Sequence, residues 1–132
     1  MKGIDTNVLV RYLVQDDPQQ SKKATTFIEK HCSVDEPGLI GHIVLCELAW
    51  VLESNYKVGR ADIVSIIERL LCVEQFTMDQ PSVVWRAVSD AKTSNADFPD
   101  HLVARIAEAA GCESTVTFDK KASKCHGFEL LK

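Results

Sequence analysis

No two cysteines in this chain are spaced as a metal or redox clip, and no glycine-rich turn is present that could cradle a phosphate. The five thiols, Cys32, Cys46, Cys72, Cys112 and Cys125, form an odd set without a Cys-x-x-Cys pair. That excludes a disulfide scaffold and a zinc site and points to a reducing, cytoplasmic setting. Cys46 and Cys72 sit among aliphatic residues, as small core hydrophobes do. No apolar run approaches the ~20 residues needed to span a bilayer. The opening Met1-Lys2-Gly3-Ile4-Asp5 turns acidic before any signal-type hydrophobic stretch, so no membrane association is expected. His31, His42, His101 and His126 are scattered without the spacing of a zinc or acid–base pair, and only His101, next to Asp100, adjoins a candidate group. Serine and cysteine nucleophile motifs are absent. An excess of basic residues is missing too: 15 Lys and Arg stand against 19 Asp and Glu, a net charge of −4. Phosphate binding usually leaves a basic footprint, so this balance suits a nucleic-acid partner only if several acids sit where a bound cation offsets them.

What is present is ordinary in bulk and specific in pattern. At 132 residues, 45% apolar and 26% charged, the chain fits one globular domain, residues 1–132, with a single core. Short strands alternate with helical stretches. Met1–Ile4, Leu39-Ile40, Phe76–Met78, Ser114–Phe118 and Phe128–Leu131 read as strands. Asn7–Leu13, Gln19–Lys30, Ile43–Ser54, Arg60–Leu71, Pro81–Lys92 and Pro99–Ala110 read as helices, with one further turn at Lys120–Lys124. Asp16-Asp17-Pro18 and Glu36-Pro37-Gly38 punctuate, and Gly111 ends a helix as a C′ residue. Ile43–Ser54 is apolar almost all round and is expected to be buried. The alternation implies an α/β fold with a mostly parallel central sheet covered on both faces, its ligand crevice at the carboxyl ends of the strands.

Four acidic motifs lie far apart in this pattern, each beside apolar residues that predict burial: Ile4-Asp5-Thr6-Asn7, Leu45-Cys46-Glu47-Leu48, Ala96-Asp97-Phe98-Pro99-Asp100 and Thr117-Phe118-Asp119. Buried carboxylates require a compensating positive group. Simpler duties are open to each. Asp5 suits the N-cap of the helix that follows, Asp97 and Asp100 suit a capped start with Pro99, and Asp119 suits the cap of the next turn. Glu47 is harder to explain, since its helix offers no Arg or Lys partner. Thr6, Asn7 and Thr117 supply neutral oxygens that could orient carboxylates. Lys120, Lys121, Lys124 and Arg11 could meet a phosphate backbone, or could form solvated faces. The chemistry that needs several carboxylates together is metal-assisted phosphodiester cleavage, in which Mg²⁺ or Mn²⁺ is held by hard oxygen donors.

In this order the motifs, from Ile4-Asp5-Thr6-Asn7-Val8-Leu9-Val10 through Leu45-Cys46-Glu47-Leu48 and Ala96-Asp97-Phe98-Pro99-Asp100 with Ala104 to Thr117-Phe118-Asp119-Lys120-Lys121, resemble the PIN domain. The branch most similar is the VapC-type toxin ribonuclease of prokaryotic toxin–antitoxin pairs. The resemblance runs from residue 3 to about residue 131. It implies a three-layer α/β/α domain and a Mg²⁺- or Mn²⁺-dependent endoribonuclease, usually a homodimer. Asp5, Glu47, Asp100 and Asp119 match the family's acidic quartet, Asp97 an extra acid of this branch, and Asn7 and Thr117 small polar positions near the site. A small antitoxin protein that blocks the cleft, and RNA substrates that include tRNA and other structured RNAs, are implied as well. Two rival readings are an Asp-nucleophile phosphotransferase, in which Asp5-Thr6-Asn7 is faintly similar to an Asp-x-Asp motif, and a catalytically inert RNA-binding or regulatory module. Glu47 has no role in the first, and the presence of all four acids speaks against the second.

Overall fold

The computed structural model describes every residue, Met1–Lys132. Five short strands, β1 (Lys2–Gly3), β2 (Gly38–Ile40), β3 (Phe76–Met78), β4 (Thr115–Thr117) and β5 (Phe128–Leu130), alternate with six helices. These are α1 (Thr6–Val14), α2 (Pro18–His31), α3 (His42–Tyr56), α4 (Arg60–Cys72), α5 (Pro81–Lys92) and α6 (Phe98–Ala109), with a 3₁₀ turn at Ala122–Lys124 before β5. Each expected strand and helix is found, with ends moved by one or two residues.

All strand pairing is parallel. β2 lies between β1 and β3, with Lys2 opposite Gly38 and Ile40 opposite Met78. β4 pairs with β5, Thr115 opposite Phe128. The single central sheet expected from the alternation is therefore present as a three-stranded and a two-stranded part. With strands of only two or three residues, ladder hydrogen bonds supply little of the cohesion, and helix packing must supply the rest. The helices pack on the sheet to give the three-layer α/β/α architecture of the family.

Local chemistry sets the joints. Asp17 caps α2, its carboxylate accepting from the Gln20 N–H at 3.0 Å, with Pro18 in the first turn. Gly111, at φ 97°, ends α6 in the left-handed conformation that glycine adopts without strain. Gly38 is glycine for space: a Cβ there would strike the Ile4 side chain and come within 3.1 Å of Cys32 Sγ. The core gathers Leu9, Ile28, Ile40, Leu45, Leu48, Leu52, Ile67, Val84, Phe98 and Leu102, all at most 2% exposed. No helix is long and apolar enough to cross a membrane.

Helix α3 departs from expectation. Leu45, Leu48, Ala49 and Leu52 face the core, but Ile43 and Trp50 are 76% and 55% exposed. In a three-layer fold an outer helix has one neighbour layer, so it can bury only one stripe however apolar its other faces are.

The broadest helix pairing joins α5 to α6 and is locked by charge. Arg105 Nε and Nη2 donate to both carboxylate oxygens of Asp90, at 2.7 and 2.9 Å, with side chains 17% and 15% exposed. Such a fork is stable only while both members are present. Asp90→Ala is expected to destabilise the fold by about 2–3 kcal/mol, and Asp90→Ala with Arg105→Met to recover most of that. Urea denaturation of the three proteins checks this; a double variant as unstable as the single one refutes it.

Candidate active site

Asp5 follows β1 and occupies the N-cap of α1, where its Oδ1 accepts from the Thr6 N–H at 2.8 Å. The cap reading for this residue is therefore correct, and it leaves the second carboxylate oxygen free. The adjacent helix N-terminus favours the negative charge. Thr6, 9% exposed, turns its hydroxyl the other way and donates to Glu47 Oε1 at 2.8 Å. One threonine thus ties the start of α1 to the second turn of α3 and fixes the Glu47 carboxylate beside Asp5. Both acids line a cavity of about 410 Å³ together with Asn7, Arg11, Asn55 and Tyr56.

Asp100 occupies the first turn of α6, one residue after Pro99, and is half-buried. Burial, then the neighbouring carboxylates of Asp97 and Asp119, push its carboxyl above the ordinary value of 3.8. Asp119 sits two residues past β4, where its Oδ1 accepts from the N–H groups of Lys121 and Ala122 at 2.8 and 3.2 Å. Its own N–H donates to Thr117 Oγ1 at 3.0 Å. Cys46 senses two members of the set: burial raises its thiol, and the charges of Asp100 and Glu47 raise it further. Asp5 and Glu47 share a cavity, and Asp119 lies near enough to Asp100 for its charge to be felt there.

Burial is where the sequence reading needs correction. Asp5, Glu47 and Asp119 are exposed at this rim, and only Asp100 is partly buried. Apolar neighbours describe the core-facing side of each element, and these acids point the other way, where water solvates them. What joins them is position: Asp5 and Glu47 line one cavity, and the charges of Asp97 and Asp119 reach Asp100. None of Asp5, Glu47, Asp100 or Asp119 forms an ion pair. Asp97 differs: it stands at the N-cap position of α6 without making a cap bond, and its Oδ1 accepts from Arg60 Nε at 2.9 Å. Arg11 is also committed, to Asp16 at 2.8 Å, Gln20 at 2.8 Å and Tyr56 at 3.2 Å.

All donors in the set are carboxylate or hydroxyl oxygens, the chemistry that suits a hard divalent cation. No three histidine, cysteine or carboxylate side chains converge closely enough to hold one ion by themselves. That spacing still fits Mg²⁺, which keeps several waters and takes only one or two carboxylates directly. The raised carboxyl of Asp100 reflects burial first and the like charges of Asp97 and Asp119 second.

Asn55, Tyr56 and Arg60 escaped the sequence reading. Asn55 was within reach, since Glu47, Val51 and Asn55 recur at four-residue spacing on one face of α3. Tyr56 and Arg60 contact the rim through long-range packing that no local pattern encodes.

Over 131 residues, 99% of this chain and 96% of the relative, the sequence is 27% identical to a VapC ribonuclease from Aquifex aeolicus (strain VF5). Residues 3–126 match the PIN domain, a span that takes in Asp5, Glu47, Asp100 and Asp119 alike; the chain belongs to the PIN domain family.

Proposed function

We propose that this protein is a VapC-type toxin, a Mg²⁺- or Mn²⁺-dependent endoribonuclease that hydrolyses phosphodiester bonds of RNA and is restrained by an antitoxin. The observation that carries this reading is the rim of four carboxylates without a cationic partner, in a chain similar over nearly its whole length to a VapC ribonuclease. A fold that pairs Asp97 with Arg60 and Asp90 with Arg105 has no shortage of ways to neutralise acids. Asp5, Glu47, Asp100 and Asp119 are among the acids it leaves unpaired.

In this reading Asp5, Glu47, Asp100 and Asp119 hold the metal, with Asp97 outside them, paired to Arg60. When bound, the cation supplies a Lewis acid for the phosphate and for the attacking water. The chain's own residues supply position. Thr6 holds Glu47 toward Asp5, Thr117 and the turn after it aim Asp119, and the first turn of α6 carries Asp100. Asn7 and Arg11 line the cavity beside Asp5, where the RNA strand enters. Ile43 and Trp50 stand on the exposed side of α3 at spacings of four and three residues from Glu47. A partner that covers this apolar stripe also covers the site, as an antitoxin must. The reading further takes the protein to be a cytoplasmic homodimer.

Cleavage of total RNA is expected with Mg²⁺ or Mn²⁺, with loss on EDTA addition and in Asp5→Asn and Glu47→Gln proteins that keep their circular dichroism. Activity that persists in both variants sinks the assignment. Thr6→Val removes only the bond that aims Glu47 and should cost about 10–100-fold in activity or metal affinity, read by titrating Mg²⁺ against rate.

Asp100 generates a test with the opposite sign for stability. Its carboxyl binds a proton more tightly in the folded protein than in the unfolded chain. The resulting stabilisation is fully present below the unfolded value of 3.8 and is lost as pH rises through the higher folded value. At neutral pH the ionised carboxylate therefore weakens the metal-free fold. Asp100→Asn should abolish cleavage yet raise the melting temperature in EDTA at pH 7, with the difference shrinking toward pH 3. A lower melting temperature contradicts the account.

A further inference from the structure

Next to the acids lies a second cavity, of about 570 Å³, with the opposite chemistry. Ser94 and Asn95, in the loop between α5 and α6, line it from one side; Lys120, Lys121 and Lys124, around the 3₁₀ turn, line it from the other. Ser94 Oγ joins the two sides through Cys125 Sγ at 3.2 Å and also accepts from the Ala96 N–H at 2.9 Å. None of the three lysines forms an ion pair. Asp90, the acid on the lining, is held by Arg105, and His126 by Glu108 at 2.7 Å. Three uncompensated ammonium groups on one concavity make a local positive field in a chain whose net charge is −4.

A separate observation concerns His101, which lines the same cavity. It is 1% exposed, and neither ring nitrogen has a hydrogen-bond partner within the protein. Buried polar groups are nearly always satisfied, so an imidazole left in this way at a cavity wall has bonding capacity for water or a ligand held in the cavity. His101 follows Asp100 and Lys120 follows Asp119, so the cavity abuts the acidic rim at two points.

We propose that this cavity is a phosphate subsite for the RNA strand, taking a backbone phosphate that flanks the scissile linkage. Lys120, Lys121 and Lys124 supply the charge, and Ser94, Asn95 and His101 the neutral hydrogen bonds. The inference rests on the ribonuclease reading, and it accounts for how an acidic protein holds a polyanion. The acids need a cation to face one phosphate, while the lysines meet the next without one.

The test separates binding from cleavage. Cleavage-deficient Asp5→Asn protein in EDTA is titrated with a fluorescent oligoribonucleotide by anisotropy over a range of salt. Adding Lys120→Ala and Lys124→Ala should weaken binding several-fold and flatten the slope of log affinity against log salt by about 0.7, the change for one lost phosphate contact on a single strand. His101→Gln should weaken binding without flattening the slope, because it removes a neutral partner. In otherwise unaltered enzyme the lysine pair should raise KM and leave kcat little changed. Two NMR titrations distinguish the source of the phosphate. Inorganic phosphate and the oligoribonucleotide should each shift the His101 ring and the Ser94 and Asn95 amides, and both shifts should vanish in the lysine variant. Binding and salt slope unchanged by the lysine substitutions overturn the proposal, as does a response to inorganic phosphate alone. Absence of any cleavage by the unaltered protein refutes the ribonuclease reading instead, and the anisotropy and NMR results stand apart from it.

Discussion

Bonds that orient carboxylates without neutralising them are the constraint on which the candidate site depends. Asp100 feels Asp97 and Asp119, and the thiol of Cys46 feels both Asp100 and Glu47. Left free, such groups would turn away from one another into water. The fold denies them that freedom with short, local bonds. Asp5 is held by the N–H of the next residue, Glu47 by the Thr6 hydroxyl, and Asp119 by two N–H groups of the following turn. Each bond uses one carboxylate oxygen as an acceptor, and none supplies a full positive charge. The carboxylates are therefore oriented without being neutralised, the state on which the proposed metal site rests.

Holding that arrangement demands stiffness behind it, and the strands are too short to supply much. The helices do so. Leu45, Leu48 and Leu52 seat α3, which carries Glu47, while Phe98 and Leu102 seat α6, which carries Asp100. The Arg105–Asp90 fork then fixes α6 against α5. Helix α6 combines the two uses of charge within six residues: a paired, partly buried carboxylate–guanidinium lock at one point and an unpaired carboxylate at another. The contrast between Asp97, matched with Arg60, and Asp100, matched with nothing, shows how sharply the two are kept apart.

Charge on this surface is distributed in zones, as the proposed polyanionic substrate would require. The acids occupy one rim, and the free lysines gather at the cavity beside it. Net charge averages over both and so conceals them. The exposed Ile43 and Trp50 add a third zone, an apolar stripe along α3 next to Glu47. Under the proposed function these zones correspond to recognition, chemistry and restraint.

The alternation of short strands with amphipathic helices, the caps at Asp5 and Asp17 and the stop at Gly111 are local matters. Sequence determined them, because each depends on residues within a turn or two of one another. The four acids were equally legible as motifs, since each stands directly after a strand or in the opening turns of a helix. Their environment was not legible. Apolar neighbours suggested burial for Glu47, yet neighbours along a helix point around its whole circumference, and only packing selects the side that meets the core. The same holds for Arg60 on Asp97, Thr6 on Glu47 and the isolated imidazole of His101. Those relations join residues 37 and 41 positions apart or depend on what closes over a side chain. Tertiary structure alone decides them, because a carboxylate's charge state and freedom depend on which groups the whole chain brings within reach.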